Sequence, residues 1–393
     1  MRRFIPVVLT ALLLAVIVPS YARLEEVNTS VEEKKVMSYD IAKEILIENN
    51  RTLKEKQLEE RKVFNSYNET VQVSRGINTE GINIEMFGME HFISYPDDVQ
   101  MMLTMQKKLM PFTERFGWQM SLKEKELTEK VLDLTLRDLY LGLLSTSRNY
   151  DISVKKLELE EKKYNANNIR LENGLISKID FKESQHQYLK AKKDCDRALR
   201  DLENMKRNFN SVLGVSVDTE YDELLFEELK RDVRIQPLEN YIENALENRL
   251  EILALEGQIE MTELQISIYE KNRVNETYVR VQKDYSQALR ELESLKIQLE
   301  QAKIDIENEI KSAYIDVKKE GYNLQSLNDT LNMQTRNYQR MESQYEQGFI
   351  AKLVIDEVQL GLEELRNGLD LAMYNYNTKI MKLEEAAGLG PSY

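Results

Sequence analysis

The sequence predicts a mostly α protein made of duplicated long antiparallel helical hairpins of coiled-coil type, with a small, reduced β segment in the first copy. Three observations predict it. First, the stretch Asn173 to Gly214 returns in design as Gln347 to Gly388. The opening glycines are offset by 348 − 174 = 174 and the closing glycines by 388 − 214 = 174. Equal offsets in a glycine-poor chain mark an internal duplication. Second, the six prolines leave 111 to 237 and 237 to 391 free of helix breakers. Third, Leu292, Leu295, Leu299, Ala302, Ile306, Ile310, Ala313, Val317, Gly321, Leu324, Leu327 and Leu331 recur at about 3.5 positions per step, a coiled-coil period with stutters.

Taken in order, residues 1–22 read as a secretory signal. Arg2 and Arg3 precede the apolar run Phe4 to Val18, and Ser20-Tyr21-Ala22 suits cleavage. The other reading is an uncleaved anchor, for which an apolar run of roughly fifteen residues is short. The mature start carries no cysteine, so no lipid anchor is expected there. A polar leader runs from Arg23 to Lys35. Ser38 is placed to cap a helix over SYDIAKEILIENNRTLKEKQLEERKVFNSYNETVQ, with Ile41, Ala42, Ile45, Leu46, Leu53 and Leu58 at helical spacing. Its counterpart starts just after Pro237, and Asn49 pairs with Asn248, an offset of 199. The copies thus start with an offset of 199 and end with one of 174, so the first is longer in its middle by 199 − 174 = 25. The excess falls in 77–110, where GINIEMFGM and DVQMMLTMQ read as two strands or a hairpin, without clean lipid-facing alternation or aromatic girdles. The second copy offers only ETYVRVQ, Glu276 to Gln282, at this place.

A helix of about sixty residues is expected to reach Leu171. Phe116 and Trp118 sit near its start, either as a packed cluster or as an interfacial anchor. The expected layout is a first repeat over 23–214, an acidic linker over 215–237, a second repeat over 238–388 without a clear strand pair, and a tail over 389–393.

The turns carry a resemblance. A long helix, a turn of the form Gly-x-x-Ser/Ala, and a return helix ending in Leu-x-x-x-x-Gly resemble the outer-membrane efflux (TolC-like) family. Here the turns are Gly174-Leu-Ile-Ser177 and Gly348-Phe-Ile-Ala351. The endings are Phe209-Asn-Ser-Val-Leu-Gly214 and Leu383-Glu-Glu-Ala-Ala-Gly388. The resemblance implies an exported envelope protein of the outer membrane and periplasm, a passive homotrimeric conduit for efflux. It implies a periplasmic adaptor and an inner-membrane transporter as partners, and contact with outer-membrane lipid through a shared barrel. One strand pair per subunit departs from this, since six strands in a trimer are too few for a tunnel of that width. The resemblance also implies that acids at the sixth and ninth positions after each turn glycine line a tunnel constriction. These positions hold Asp180 and Glu183 in the first copy, then Val354 and Glu357 with Asp356 beside it in the second. In a trimer each acid becomes a ring of three that favours cations. The plainer reading makes them first-turn acids at a helix N-terminus.

Formal charge is −14, or 52 − 68 = −16 without Arg2 and Arg3, which argues against nucleic acid as a partner. The two histidines, His91 and His186, are far apart in sequence, and no phosphate loop or nucleophile elbow is present. No enzyme activity, cofactor or metal is expected. The lone Cys195 lies among charged helical residues, where a thiol is incidental more often than it is a tether. An alternative function is a non-conducting extracytoplasmic helical scaffold of the envelope.

Overall fold

The long proline-free stretches are mostly helical, and the two hairpin turns fall at the expected glycines. The computed structural model describes residues 36–225 and 234–390. The signal-like segment, the leader, the middle of the linker and residues 391–393 lie outside the described residues. Ser38 caps α1 (Tyr39–Asn49) by accepting a hydrogen bond from the Ile41 amide. The first helix is not continuous. Asn50 leaves helical geometry at φ −67°, ψ 120°, and its side chain accepts from the Leu53 amide to start α2 (Arg51–Arg75). The second repeat breaks at the equivalent place. There Arg249, the counterpart of Asn50 at an offset of 199, has φ −59° and ψ 135° and separates α6 (Leu238–Asn248) from α7 (Leu250–Glu270).

The β segment is shorter than its sequence pattern suggested. Strands β2 (Gly81–Met86) and β3 (Met89–Ser94) form an antiparallel hairpin. Phe87 and Gly88 both have positive φ (55° and 74°), the geometry that matches hairpin twist. The run DVQMMLTMQ is helical instead. Pro96 precedes α3 (Asp97–Thr104), with Asp97 and Asp98 in its first turn, and a π turn over 105–109 leads into α4 (Met110–Glu172). Acids at a helix start outweighed the weak alternation. Ile82 faces Ile93, Ile84 faces His91 and Met86 faces Met89 on one side, while Asn83 faces Phe92 and Glu85 faces Glu90 on the other, so neither side of the hairpin is cleanly apolar. Glu276 to Gln282 is not a strand. Asn272 and Arg273 are both left-handed (φ 58° and 56°), and the chain reverses through the single turn α8 (Val274–Thr277) into α9 (Val279–Glu346).

At 63 and 68 residues, α4 and α9 are about 95 and about 100 Å long. Each turns back into a shorter helix, α5 (Lys178–Leu213) and α10 (Lys352–Ala386). The contacts set the layout. On the turn side the order is α5, α4, α10, α9; on the hairpin side it is α2, α4, α7, α9. Four staves thus form one wall with α9 along one edge, and α5 and α2 along the other.

The duplication is also in the core. Leu136, Tyr140, Leu143, Phe209 and Leu213 pack in the first repeat. At +174 stand Ile310, Tyr314, Val317, Leu383 and Ala387, which pack in the second. Between the repeats, a short β1 (Val36–Met37) pairs in parallel with β4 (Glu223–Leu224), and the Tyr140 hydroxyl lies within 2.7 Å of the Met37 carbonyl. One ending differs from expectation. Gly214 closes α5 at φ 72°, but after α10 the left-handed residue is Gly390, packed on Arg249, and not Gly388.

Candidate functional site

The two turns share one geometry. The Gly174 amide (φ 70°) donates back to the Leu171 carbonyl while that of Leu175 donates to Arg170. Gly348 (φ 78°) and Phe349 repeat this with Tyr345 and Gln344. This paired pattern satisfies the free carbonyls of a helix end and needs a residue that tolerates positive φ. The turns differ in how the return helix starts. Ser177 caps α5 by accepting from the Asp180 amide at 3.2 Å, and the Asp180 carboxylate reaches back to accept from the Ser177 amide. Ala351 starts α10 with no side-chain cap.

The expected acids do not share one surface. Asp180, Glu183 and Glu357 line a groove of about 540 Å³ between α4, α5 and α10, together with Glu160, Lys163 and Arg170. Asp356 lines a separate groove with Lys155, Lys352 and Glu363. Within the chain each is already engaged or close to a partner. Asp180 completes the capping box, Glu183 accepts from Gln187 at 2.7 Å, and Glu357 pairs with Lys163 at 3.1 Å. Burial works against the Lys163 charge, but its hydrogen bonds to Glu160 and Glu357 outweigh this and hold it above the ordinary lysine range. Beside Asp356, partial burial and the nearby carboxylates of Glu342 and Asp356 keep the Tyr338 phenol protonated to higher pH than usual.

Lys163 belongs to a ladder that sequence reading missed. Across the seam between α4 and α10, Lys130 pairs with Glu385 (3.2 Å), Lys382 with Asp138 (2.7 Å), Arg148 with Asp370 (3.1 Å) and Lys155 with Glu363. The buried Arg137 donates to the Thr378 hydroxyl at 3.0 Å in the same row. The numbers of paired positions sum to a near-constant 515–520, as antiparallel helices require. That constant was the available signal, but it emerges only once the repeats are laid side by side.

The remaining expected features are plainer. Trp118 packs on Phe64 (4.9 Å) and stacks on Tyr67 (5.8 Å), with its indole N–H toward Glu60. It is a packed aromatic cluster. His91 lies on β3 and His186 on α5, and Cys195 is half-buried on α5. Among the described residues no cluster of three His, Cys, Asp or Glu side chains is arranged to hold a metal, and no helix is long and apolar enough to cross a membrane.

No protein-family profile matches the sequence, and no curated protein does either. Solved structures do match in fold. The chain is similar to CusC, studied for transmembrane channel formation, with TM-score 0.64 and 13% identity over 95% of this chain and 99% of that one. It is similar to the CmeC outer membrane channel of Campylobacter jejuni, with TM-score 0.61 and 11% identity over 89% and 85%. The outer membrane protein VceC of Vibrio cholerae gives 0.61 and 10% over 89% and 96%. The fold is therefore that of TolC-like α-barrel tunnel subunits.

Proposed function

We propose that the chain is a passive tunnel component of an envelope efflux or export system, exported to the outer membrane and periplasm. It works as a homotrimer with a periplasmic adaptor and an inner-membrane transporter, and has no catalytic role. The observation that carries this reading is the four-stave wall, which matches channel subunits along nearly their whole length. A wall with two open edges has no inside until copies close it, so the ring is what makes a conduit.

The turn end is the gate and the adaptor-docking surface in this reading. The Gly174 and Gly348 turns are internally bonded tips that move as units. Near the turns the α4–α10 ladder is half-exposed and polar, so its parting there costs little and lets the tip of the α9–α10 hairpin lean away from α4, while the buried Arg137–Thr378 bond holds the linker side. Asp180, Glu183, Asp356 and Glu357 then bias the opening toward cations.

The membrane end is reduced. Strands of six residues span about 20 Å, short of the roughly 30 Å hydrocarbon core. That observation favours the second reading, a scaffold without a conduit. Light scattering of the mature protein with and without mild detergent separates them. A trimer supports the tunnel, and its need for detergent reports lipid contact. A monomer in both conditions rejects the tunnel and leaves the scaffold.

A further inference from the structure

We infer that the β2–β3 hairpin rests on a lipid surface, with its tip and one side in the headgroup and acyl boundary, and does not cross the bilayer. Its hold there rests on the ring reading, which brings three hairpins to one end. The hairpin is tied at its foot and little supported beyond it. The Tyr95 amide donates to the Glu80 carbonyl at 2.9 Å, the Asn78 side-chain amide to the Gly81 carbonyl at 2.7 Å, and Lys107 to the Ile77 carbonyl at 2.9 Å. Past these bonds, among the described residues, each strand has its extensive contacts with the other strand alone. Two strands by themselves are marginal in water, so a face that finds a cover gains from it.

The two sides differ in chemistry. One carries Ile82, Ile84 and Met86 opposite Ile93, His91 and Met89. His91 is the one polar residue there, and an imidazole suits an interface because its body is apolar and its tip polar. The other side carries Glu85 directly opposite Glu90, and Asn83 opposite Phe92. The Phe92 ring has its own cover: it folds over Gly81, 2.7 Å from where a Cβ would stand. At the tip Phe87 is 94% exposed, and Met89 is 61% exposed. Phe87 also has φ 55°, a conformation that asparagine or glycine adopts easily and a bulky ring does not. A strained ring presented to the outside marks a contact residue.

Charge and area choose the occupant. The stretch 80–94 holds Glu80, Glu85 and Glu90 and no lysine or arginine, so nothing draws it to an anionic surface. The Glu85–Glu90 pair one step behind the tip sets the depth, because two facing carboxylates stay in water. That leaves penetration of about 5–10 Å, the depth of an interfacial element. The apolar side is about 20 Å long and about 10 Å wide. Its roughly 200 Å² is far below the roughly 800 Å² per partner of a stable protein interface. Three coplanar patches on one membrane need no such area apiece, since each bound hairpin raises the effective concentration of the others. A zwitterionic bilayer fits these terms.

The test is flotation of the mature protein with phosphatidylcholine vesicles, with mass by light scattering read on the same sample. Most of the protein should float, and added salt should not release it. For depth, Phe87→Trp on a Trp118→Phe background should be quenched by lipids brominated near the headgroup. Iodide enclosed in the vesicles should not quench it. Quenching from inside means a spanning hairpin and overturns the inference. Phe87→Asn relaxes the turn, yet it should lower partition into vesicles at least tenfold, the cost of leaving one ring out of lipid. Unchanged partition contradicts the inference. A trimer that stays in the buffer overturns the lipid contact and leaves the ring reading standing. A monomer that floats keeps the lipid contact and rejects the ring, and a monomer that does not float overturns both.

Discussion

The two seams that hold α4 are built differently. Toward α5, within one repeat, α4 offers rings and aliphatic chains. Tyr140 lies 5.7 Å from the fully buried Phe209, and Tyr164 stacks on Tyr188 at 5.3 Å. Toward α10, across repeats, it offers a polar ladder of half-exposed pairs near the turns, while nearer the linker the buried Arg137–Thr378 bond and the buried Tyr374 of α10 close the seam. Burial of rings is worth several kcal/mol per site, whereas an exposed pair contributes about 0–1 kcal/mol. Within a repeat the hairpin is therefore the stronger unit, and the seam between hairpins is weakest at its turn end.

The largest expected effect tests the dry seam. Phe209→Ala should cost about 3–5 kcal/mol in denaturant unfolding, since a fully buried ring leaves a cavity. A loss under about 1 kcal/mol would erase the contrast between the seams.

Next comes Arg249, 2% exposed, which holds Glu251, Glu309 and the Ala386 carbonyl at the second repeat's break. Removing it should cost about 2 kcal/mol, the scale of charge-assisted bonds left unmade. It also sets an acid dependence. Partial burial works against ionisation of Glu251, but its bond to Arg249 prevails and holds it below the ordinary 4.5. A lowered folded value gives stability present above 4.5 and lost as pH falls through the folded value. Arg249→Met should therefore flatten stability between about pH 5 and the acid limb.

Gly174→Ala should cost about 1–2 kcal/mol, because its φ of 70° strains any Cβ, and the loss should stay local to the turn in hydrogen exchange.

Smallest is Lys163→Ala, expected to change global stability by less than about 1 kcal/mol. It sharpens the comparison through exchange. Amides near 155–163 and 357–363 should open faster, as they should in high salt, while those near Phe209 stay unchanged. The raised Lys163 value adds stability that is complete below the ordinary 10.5 and is lost as pH rises beyond it.

Much of the architecture was legible because long helices obey local rules. Prolines, capping serines and turn glycines marked their ends, and the seam residues from Leu292 to Leu331 are buried or half-buried. What failed depended on balance or on distance. Alternation alone could not tell the helix at Asp97 from a strand. The breaks at Asn50 and Arg249 leave little trace in periodicity, since both sides remain helical. Asp356 and Glu357 line two different grooves of the chain, because they are adjacent and so point about 100° apart on α10. The ladder was invisible for another reason. Lys163 and Glu357 belong to different repeats, far apart along the chain, and nothing local marks either one.

A wall with two open edges becomes a conduit only by closing through copies of itself. End-on electron micrographs of the purified mature protein test that closure most directly. A closed ring with a central hole and threefold repetition of the four-stave unit is the expected result. Single curved walls, or particles with no hole, would contradict it.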